Sequence, residues 1–392
     1  MVRARIRLLA WVAALGLCAA SACETDHDAL EKMPNQGPIA AGSGGHAGTS
    51  TQMPTAGSSG TSGGTGGHPD DEPPGASVLT IVHGVVDAPS IALCLATVAD
   101  GGAPAPFGKP LSDAPLDFGQ SLVLSAIDGA DPANDVIQPF VIAGELEFVS
   151  GLDCAGAIAL AQTEEAAVAS AETAAAGASA GEGGAGEGGA GGAPPEVQAR
   201  LRVRALPAFP AGTLNGGRSY LLVALGCMGG SGYDASNAEA YCGAGYSETA
   251  PTFGAAFAAM SRATSSGGVG LQVMQASLAT DSIRVDSAPP PLSPDQRITI
   301  ATGVAEGELW PRPAYIDHSA ADYDVSTTGL EITSQVSRPF SQSWLDVLAR
   351  GAIGMPADGS NYTIVLIGPR TDLTNTALWN APAITIVPVD PK

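Results

Sequence analysis

In the stretch VLTIVHGVVDAPSIALCL, Val78 to Leu95, His83 stands four residues ahead of Asp87. An imidazole and a nearby carboxylate are the parts of a general base and the group that orients it, and a serine nucleophile would complete a hydrolytic site. The same pair in a connection between two strands would instead tie that connection down through hydrogen bonds. Leu79 to Val82 reads as one β run, Gly84 to Pro89 as a connection and Ser90 to Leu95 as a second run, so both uses have to be weighed.

The remaining matches to reactive patterns are weaker. GTSGG at Gly60 to Gly64 satisfies G-x-S-x-G, but a nucleophile elbow needs a strand before it and a helix after it, and this copy sits in a Gly/Ser tract. GEGGAG at Gly181 to Gly186 has the glycine spacing of a dinucleotide loop without a βαβ unit around it. DGADPAND (Asp128 to Asp135) and DHSAADYD (Asp317 to Asp324) gather carboxylates that a hard cation would accept, yet neither has the spaced oxygens and closing Glu of a calcium loop, and turn chemistry is the expectation. No C-x-x-C or H-x-x-x-H spacing occurs, so neither a metal site nor a cofactor is expected. Asn361 begins a glycosylation sequon at the head of a strand, where it carries no expected role. Trp310, Tyr315, Tyr323, Trp344 and Trp379 would serve either core packing or contact with a glycan or protein, and core packing is the plainer use.

The elements that would position such residues are strands. Short alternating or apolar runs such as DFGQSLVLSAI, FVIAGELEFV, QRITIATGV and AITIVPV are bounded by Gly, Pro and Asp, without the regular strand and helix alternation of a parallel sheet. In VQARLRVRA, Val197, Ala199, Leu201, Val203 and Ala205 should face a core, with Gln198, Arg200, Arg202 and Arg204 toward water. PTFGAAFAAM suits either period, and its position opposite PAITIVPV in the repeat assigns it to a strand. The Ala- and Gly-rich tract over about 155–195 reads as an insertion in a loop, its first half able to form a loose helix and its second half too glycine-rich to do so.

Two copies of one β-module account for this pattern. GRSYLLVALG (Gly217 to Gly226) matches GSNYTIVLIG (Gly359 to Gly368), each with a Tyr, Tyr220 or Tyr362, at the head of a strand that ends in Gly. Upstream, LTIVHGVVDAPSIAL (Leu79 to Leu93) matches LQVMQASLATDSIRV (Leu271 to Val285), which puts Gln275 at the place of His83 and Ala279 at that of Asp87. A Gln replaces a His as a hydrogen-bonding group but not as a base, so His83, Asp87 and Pro89 are assigned to the structure of the turn and no catalytic residue is named. The expected modules span 77–264 and 268–392.

The opening of the first module also resembles an uncharacterised family of exported bacterial domains that begin with a motif like V-x-V-H-A-S-P-D-A-P and occur in tandem on secreted or lipid-anchored proteins. Val82, His83, Asp87, Ala88 and Pro89 match it, Gly84, Val85 and Val86 depart from A-S-P, and the second copy retains Ala276 and Ser277. The resemblance implies tandem immunoglobulin-like β-sandwiches in an all-β protein, with no established activity.

The N-terminus supplies the location. Arg3, Arg5 and Arg7 precede the apolar run Leu8 to Leu17, the layout of a signal peptide over 1–22 and too short to be a membrane span. AASAC then resembles the lipobox of bacterial lipoproteins, with Cys23 as the lipidated residue, although Ala20 stands where Leu is usual. Cys18 follows bulky Leu17 and fits less well, and the alternative is plain cleavage after Ala22 without lipid. Acyl chains at about 0.8 kcal/mol per buried CH₂ would anchor the chain to the envelope, at the outer membrane or cell surface. Residues 23–76, rich in Gly, Ser, Thr and Pro, form a disordered tether with an r.m.s. span of roughly 40 Å. Cys94, Cys154, Cys227 and Cys242 remain, and of their three pairings chain order favours Cys94 with Cys154 and Cys227 with Cys242.

Formal charge is −22, and removal of the signal leaves 14 basic against 39 acidic residues, a balance that argues against nucleic acid and anionic membrane surfaces as partners. The expected protein is a lipid-anchored, exported binding or structural component. Its candidate ligand is an extracellular glycan or protein, and the rival is a hydrolase of an extracellular polymer.

Overall fold

The computed structural model describes residues 77–99, 102–179, 199–214, 217–229, 241–243, 245–247, 250–262, 268–278, 282–288, 297–311, 316–318, 329–334, 339–356, 358–369 and 382–389. The signal segment, Cys23 and the tether lie outside the described residues.

The first repeat contributes β1 (Val78–Val85), β2 (Ser90–Val98), β3 (Pro104–Phe107), β4 (Leu116–Asp117), β5 (Ser121–Leu124), β6 (Val136–Gly144), α1 (Cys154–Ser179), β7 (Leu201–Ala205), β8 (Ser219–Gly226) and β9 (Gly254–Met260). The second contributes β10 (Val269–Ser277), β11 (Ile283–Ala288), β12 (Ile298–Val304), β13 (Leu309–Trp310), β14 (Ile316–His318), β15 (Gly329–Ser334), β16 (Phe340–Ser343), α2 (Trp344–Arg350), β17 (Ser360–Gly368) and β18 (Ala383–Pro388). Each repeat forms two sheets. In the first, β5-β1-β8-β9 faces a sheet of order β3-β2-β6-β7 with β4 also on β2; in the second, β13-β10-β17-β18 with β14 on β10 faces β12-β11-β15-β16. The protein is all-β apart from two α-helices among the described residues.

The repeat is visible in the pairing. β1 runs parallel to β8 with Leu79 opposite Tyr220, and β10 runs parallel to β17 with Leu271 opposite Tyr362. Side-chain alternation then sets the layers. Leu79 and Ile81 of β1, Leu222 of β8 and Ile91, Leu93 and Leu95 of β2 fill the core between the first two sheets. Leu271, Val273, Ile364, Leu366, Val285 and Ile332 fill the core between the second two, closed at one side by Trp344, Val347 and Leu348 of α2.

The other face of each inner sheet is buried too. Val82, Leu221, Val223, Ala256 and Ala258 of the first repeat pack against Met274, Val365, Ile367, Ala383 and Val387 of the second in a third core. The repeats therefore stack sheet on sheet in four β layers. This explains why every residue of β1 and of β10 is buried, Thr80, His83, Gln272 and Gln275 included, as expected of strands covered on both faces. Gly84 permits a close approach, since a Cβ there would lie 3.0 Å from the Ala224 carbonyl oxygen of the neighbouring strand and 3.2 Å from Cγ2 of Ile367 in the other repeat. The Ser261 N–H donates to Oε1 of Gln272 (3.0 Å) across the same contact.

Two expectations need correction. The first half of the Ala-rich tract is helical as expected, but it is not loose: α1 runs 26 residues, and Ala157, Ile158 and Ala161 pack on the outer face of the β2-containing sheet. Asp153 caps it by accepting the Gly156 N–H (2.8 Å), and Arg200 and Arg204 of the neighbouring strand region reach Glu164 (2.7 Å) and Glu165 (2.6 Å). The second half of the tract lies outside the described residues. Secondly, Gly84 and Val85 belong to β1, not to the connection, and β2 joins the opposite sheet, so the opening stretch is an arch between sheets.

Of the VQARLRVRA positions, Leu201 and Val203 pack beneath α1 on the outer face of their sheet, Arg202 and Arg204 are half-buried, and Ala205 is exposed. PTFGAAFAAM does form a strand, and it is used on both faces: Ala256, Ala258 and Met260 meet the second repeat, and Ala255 and Phe257 the core of the first. No element was expected over Trp344–Arg350, where α2 forms. Ser343 begins it by accepting the Asp346 N–H (3.1 Å) while its Oγ–H donates to Oδ2 of Asp346 (2.6 Å).

Candidate functional site

His83 lies inside β1, so its assignment to a turn is corrected: it braces a strand. Its Nδ1 accepts the Val85 N–H (3.2 Å), its ring meets Phe118 edge-on at 5.7 Å, and no part of the residue is exposed. Burial holds the imidazole at about 3, far below the ordinary 6.5, against the smaller upward pull of the Ala88 backbone. A neutral, enclosed imidazole with its acceptor nitrogen engaged does not reach a substrate.

Gln275 repeats the arrangement. Its Oε1 accepts the Ser277 N–H (3.1 Å), again two residues along the strand, and it is equally buried. The backbones agree as well: His83 receives the Gly119 N–H at its carbonyl (2.8 Å) and donates to the Gln120 carbonyl (3.0 Å), as Gln275 does with Gly307 (2.7 Å) and Glu308 (3.0 Å). Gly119 and Gly307 both take positive φ, 86° and 74°, which glycine adopts without strain. His and Gln are thus two solutions to one problem, supplying an acceptor to a backbone N–H inside a strand.

Asp87 is separate from His83 in its bonding. Its Oδ1 and Oδ2 accept the N–H groups of Met228 (2.8 Å) and Gly229 (2.9 Å), which pins the arch after β1 to the end of β8. Burial raises the carboxyl above its usual range, and those two amides pull it back. Pro89 offers its carbonyl to the Phe118 N–H (3.0 Å). The structure therefore brings His83, Asp87 and Pro89 into one neighbourhood as separate braces, without assembling a base and its orienting acid.

Both disulfides follow chain order. Cys94 of β2 joins Cys154 at the start of α1, and Cys227 after β8 joins Cys242. The first fastens the helix to its sheet. The second packs with Val86 and Tyr241 against Leu278 of the second repeat.

A cleft of about 360 Å³ opens at the end of the first sandwich, a feature no motif announced. Leu79, Leu124, Ile127, Leu214 and Tyr220 supply apolar walls, and Asp131 lies at its lining. Its volume falls in the range of small-ligand sites. The acidic loop beside it is wired to itself: Oδ1 of Asp131 accepts the Ala133 N–H (3.0 Å), Oδ2 accepts from Nδ2 of Asn134 (2.6 Å), and the Asp131 N–H donates to Oδ2 of Asp135 (2.8 Å). The Asn134 and Ala133 bonds hold the Asp131 carboxyl below its usual range. Among the described residues no group of three His, Cys, Asp or Glu side chains is placed to hold a metal ion. Tyr220, at the head of a repeated strand, was the sequence signal closest to the cleft.

In the second repeat, Asp317 and His318 of the other acidic cluster lie on β14, and the rest of it is outside the described residues, as are Tyr315, Tyr323 and Trp379. Trp344 is core, its Nε1–H donating to Oγ of Ser287 (3.1 Å), and Trp310 packs half-buried on the same core. Asn361 is half-buried in β17, its Nδ2 donating to the Ser261 carbonyl (3.4 Å). Sequence reasoning also missed a polar network on the outer sheet: Nε of Arg284 donates to both oxygens of Asp286 (2.9 and 2.8 Å), Thr299 donates to Oδ1 (2.8 Å), and Arg297 reaches Glu331 (2.9 Å). Among the described residues no helix is long and apolar enough to cross a membrane.

No family model and no curated protein matches the chain. Among solved structures, a "putative cell adhesion protein" from Bacteroides eggerthii DSM 20697 aligns over 82% of this chain and 98% of its own, at 11% identity and a TM-score of 0.16. A likeness of that size carries no argument about fold or function.

Proposed function

We infer that the protein is an exported, lipid-anchored envelope component that binds a ligand rather than converting one, with its tandem sandwiches of immunoglobulin-like type. The observation that carries the reading is the contrast between the two candidate sites. His83, the one side chain around which a hydrolytic site was conceivable, is enclosed with its Nδ1 taken by the Val85 N–H, whereas the cleft beside Tyr220 is open and apolar with a polar edge. Such walls suit the C–H face of a sugar ring or an apolar side chain of a protein ligand. Cys23 supplies the anchor, and residues 24–76 the reach from the envelope.

The test uses the chain from residue 23 with Cys23→Ser, melted in the presence of a panel of glycans and envelope extracts, beside an Ile127→Asp variant that puts charge into the cleft. A rise in Tm that the variant loses is the expected result. No shift across the panel, or a shift that Ile127→Asp retains, counts against the cleft. Protease shaving of intact cells addresses location: release of the body with the Cys23 peptide retained places it outside the cell.

A further inference from the structure

A sheet edge presents a row of unpaired backbone N–H and C=O groups, and proteins cover or block such rows. Several edges here are managed. Beside β7, Glu164 accepts the Leu201 N–H through Oε2 (3.0 Å). On β18 the Ile384 N–H donates to Oε1 of Gln342 (2.9 Å). β3 carries Pro104 and Pro106, and β12 is interrupted by register shifts against β11. β9 has no such device. It pairs with β8 from Gly254–Leu225 to Met260–Ser219, contains neither a charge nor a proline, and its outward backbone groups make no hydrogen bond to the described residues.

The sequence of that strand is the second observation. GAAFAAM reads almost identically in both directions about Phe257, with Ala256 and Ala258, then Ala255 and Ala259, at equal distances from it. A two-fold contact requires a patch complementary to itself. We propose that β9 is a homodimer interface, a second copy of this chain adding its own β9 antiparallel and centred on Phe257. Phe257 then faces its equivalent, Ala255 faces Ala259, and Ala256 faces Ala258. No like charges oppose one another, in a chain whose formal charge of −22 otherwise favours separation. The strand is already firm: Phe257 lies 4.9 Å from the Phe209 ring and stacks on Tyr220 at 5.6 Å. The pairing makes one continuous sheet of β5-β1-β8-β9 and its two-fold mate.

The chain from residue 23 with Cys23→Ser is examined by sedimentation over a wide concentration range. Ala259 is exposed, so Ala259→Lys leaves the fold intact, and at an edge it weakens dimerisation at least about tenfold. Register is read by oxidation of an Ala255→Cys, Ala259→Cys double variant. Within one strand these positions are about 13 Å apart, too far to bridge, so a disulfide forms only between chains. The double variant crosslinks and the Ala259→Cys single variant does not. A monomer at every concentration overturns the proposal, as does a dimer indifferent to Ala259→Lys. Crosslinking of the single variant overturns the register, and an extended peptide binding to a strictly monomeric chain would assign the edge to another partner.

Discussion

Replacing His83 by Gln should remove acid sensitivity without removing the brace. Folded, the imidazole titrates at about 3; unfolded, it returns to 6.5. Between those values the unfolded chain holds a proton that the folded chain refuses, so His83 contributes stability that is complete above pH 6.5 and is lost as pH falls toward 3. The slope is about 1.4 kcal/mol per pH unit, which amounts to about 2.7 kcal/mol by roughly pH 4.5. Asp87 acts in the opposite sense, since its raised carboxyl takes up a proton in the folded state first, but it is present in both proteins and cancels in the difference. Gln275 already makes the equivalent bond to Ser277, so Gln at 83 should keep the acceptor for Val85. Urea unfolding of wild type and His83→Gln near pH 7 and pH 4.5 gives the four free energies required. The variant should lose about 2.7 kcal/mol less on acidification. Equal losses would refute the claim that a neutral, desolvated imidazole is what acid attacks.

Three further outcomes follow from the same geometry. Gly84→Val should destabilise the protein by about 1–3 kcal/mol in denaturant unfolding, because its side chain meets the Ala224 carbonyl of the neighbouring strand at 3.0 Å and Ile367 of the other repeat at 3.2 Å. Asp87→Ala should cost about 1–3 kcal/mol and speed hydrogen exchange at Met228 and Gly229, whose N–H groups lose their acceptor, with Asp87→Asn recovering part of the loss. Replacing both Cys94 and Cys154 by Ser opens a link between residues 60 apart in sequence and should lower stability by about 2–4 kcal/mol, with exchange rising first along α1.

Much of this protein was legible residue by residue. The strands β1, β8, β10 and β17, the repeat that relates them, the strand nature of GAAFAAM and the pairing of four cysteines by chain order all come from local pattern and spacing. The equivalence of His83 and Gln275 was also available, and it pointed to a hydrogen-bonding role before any geometry was known. Local pattern states how many faces of a strand avoid water, and runs such as LLVAL and TIVLI state two. It does not state what covers them. That the second face belongs to the other repeat, that β2 crosses to the opposite sheet, and that an alanine-rich tract docks as a helix were decided by which apolar surfaces could meet in three dimensions. The depth of His83, the cleft beside Tyr220 and the open edge of β9 follow from how the strands assemble into sheets and the sheets into layers, because burial, cavities and edges belong to that assembly and not to any one stretch of chain.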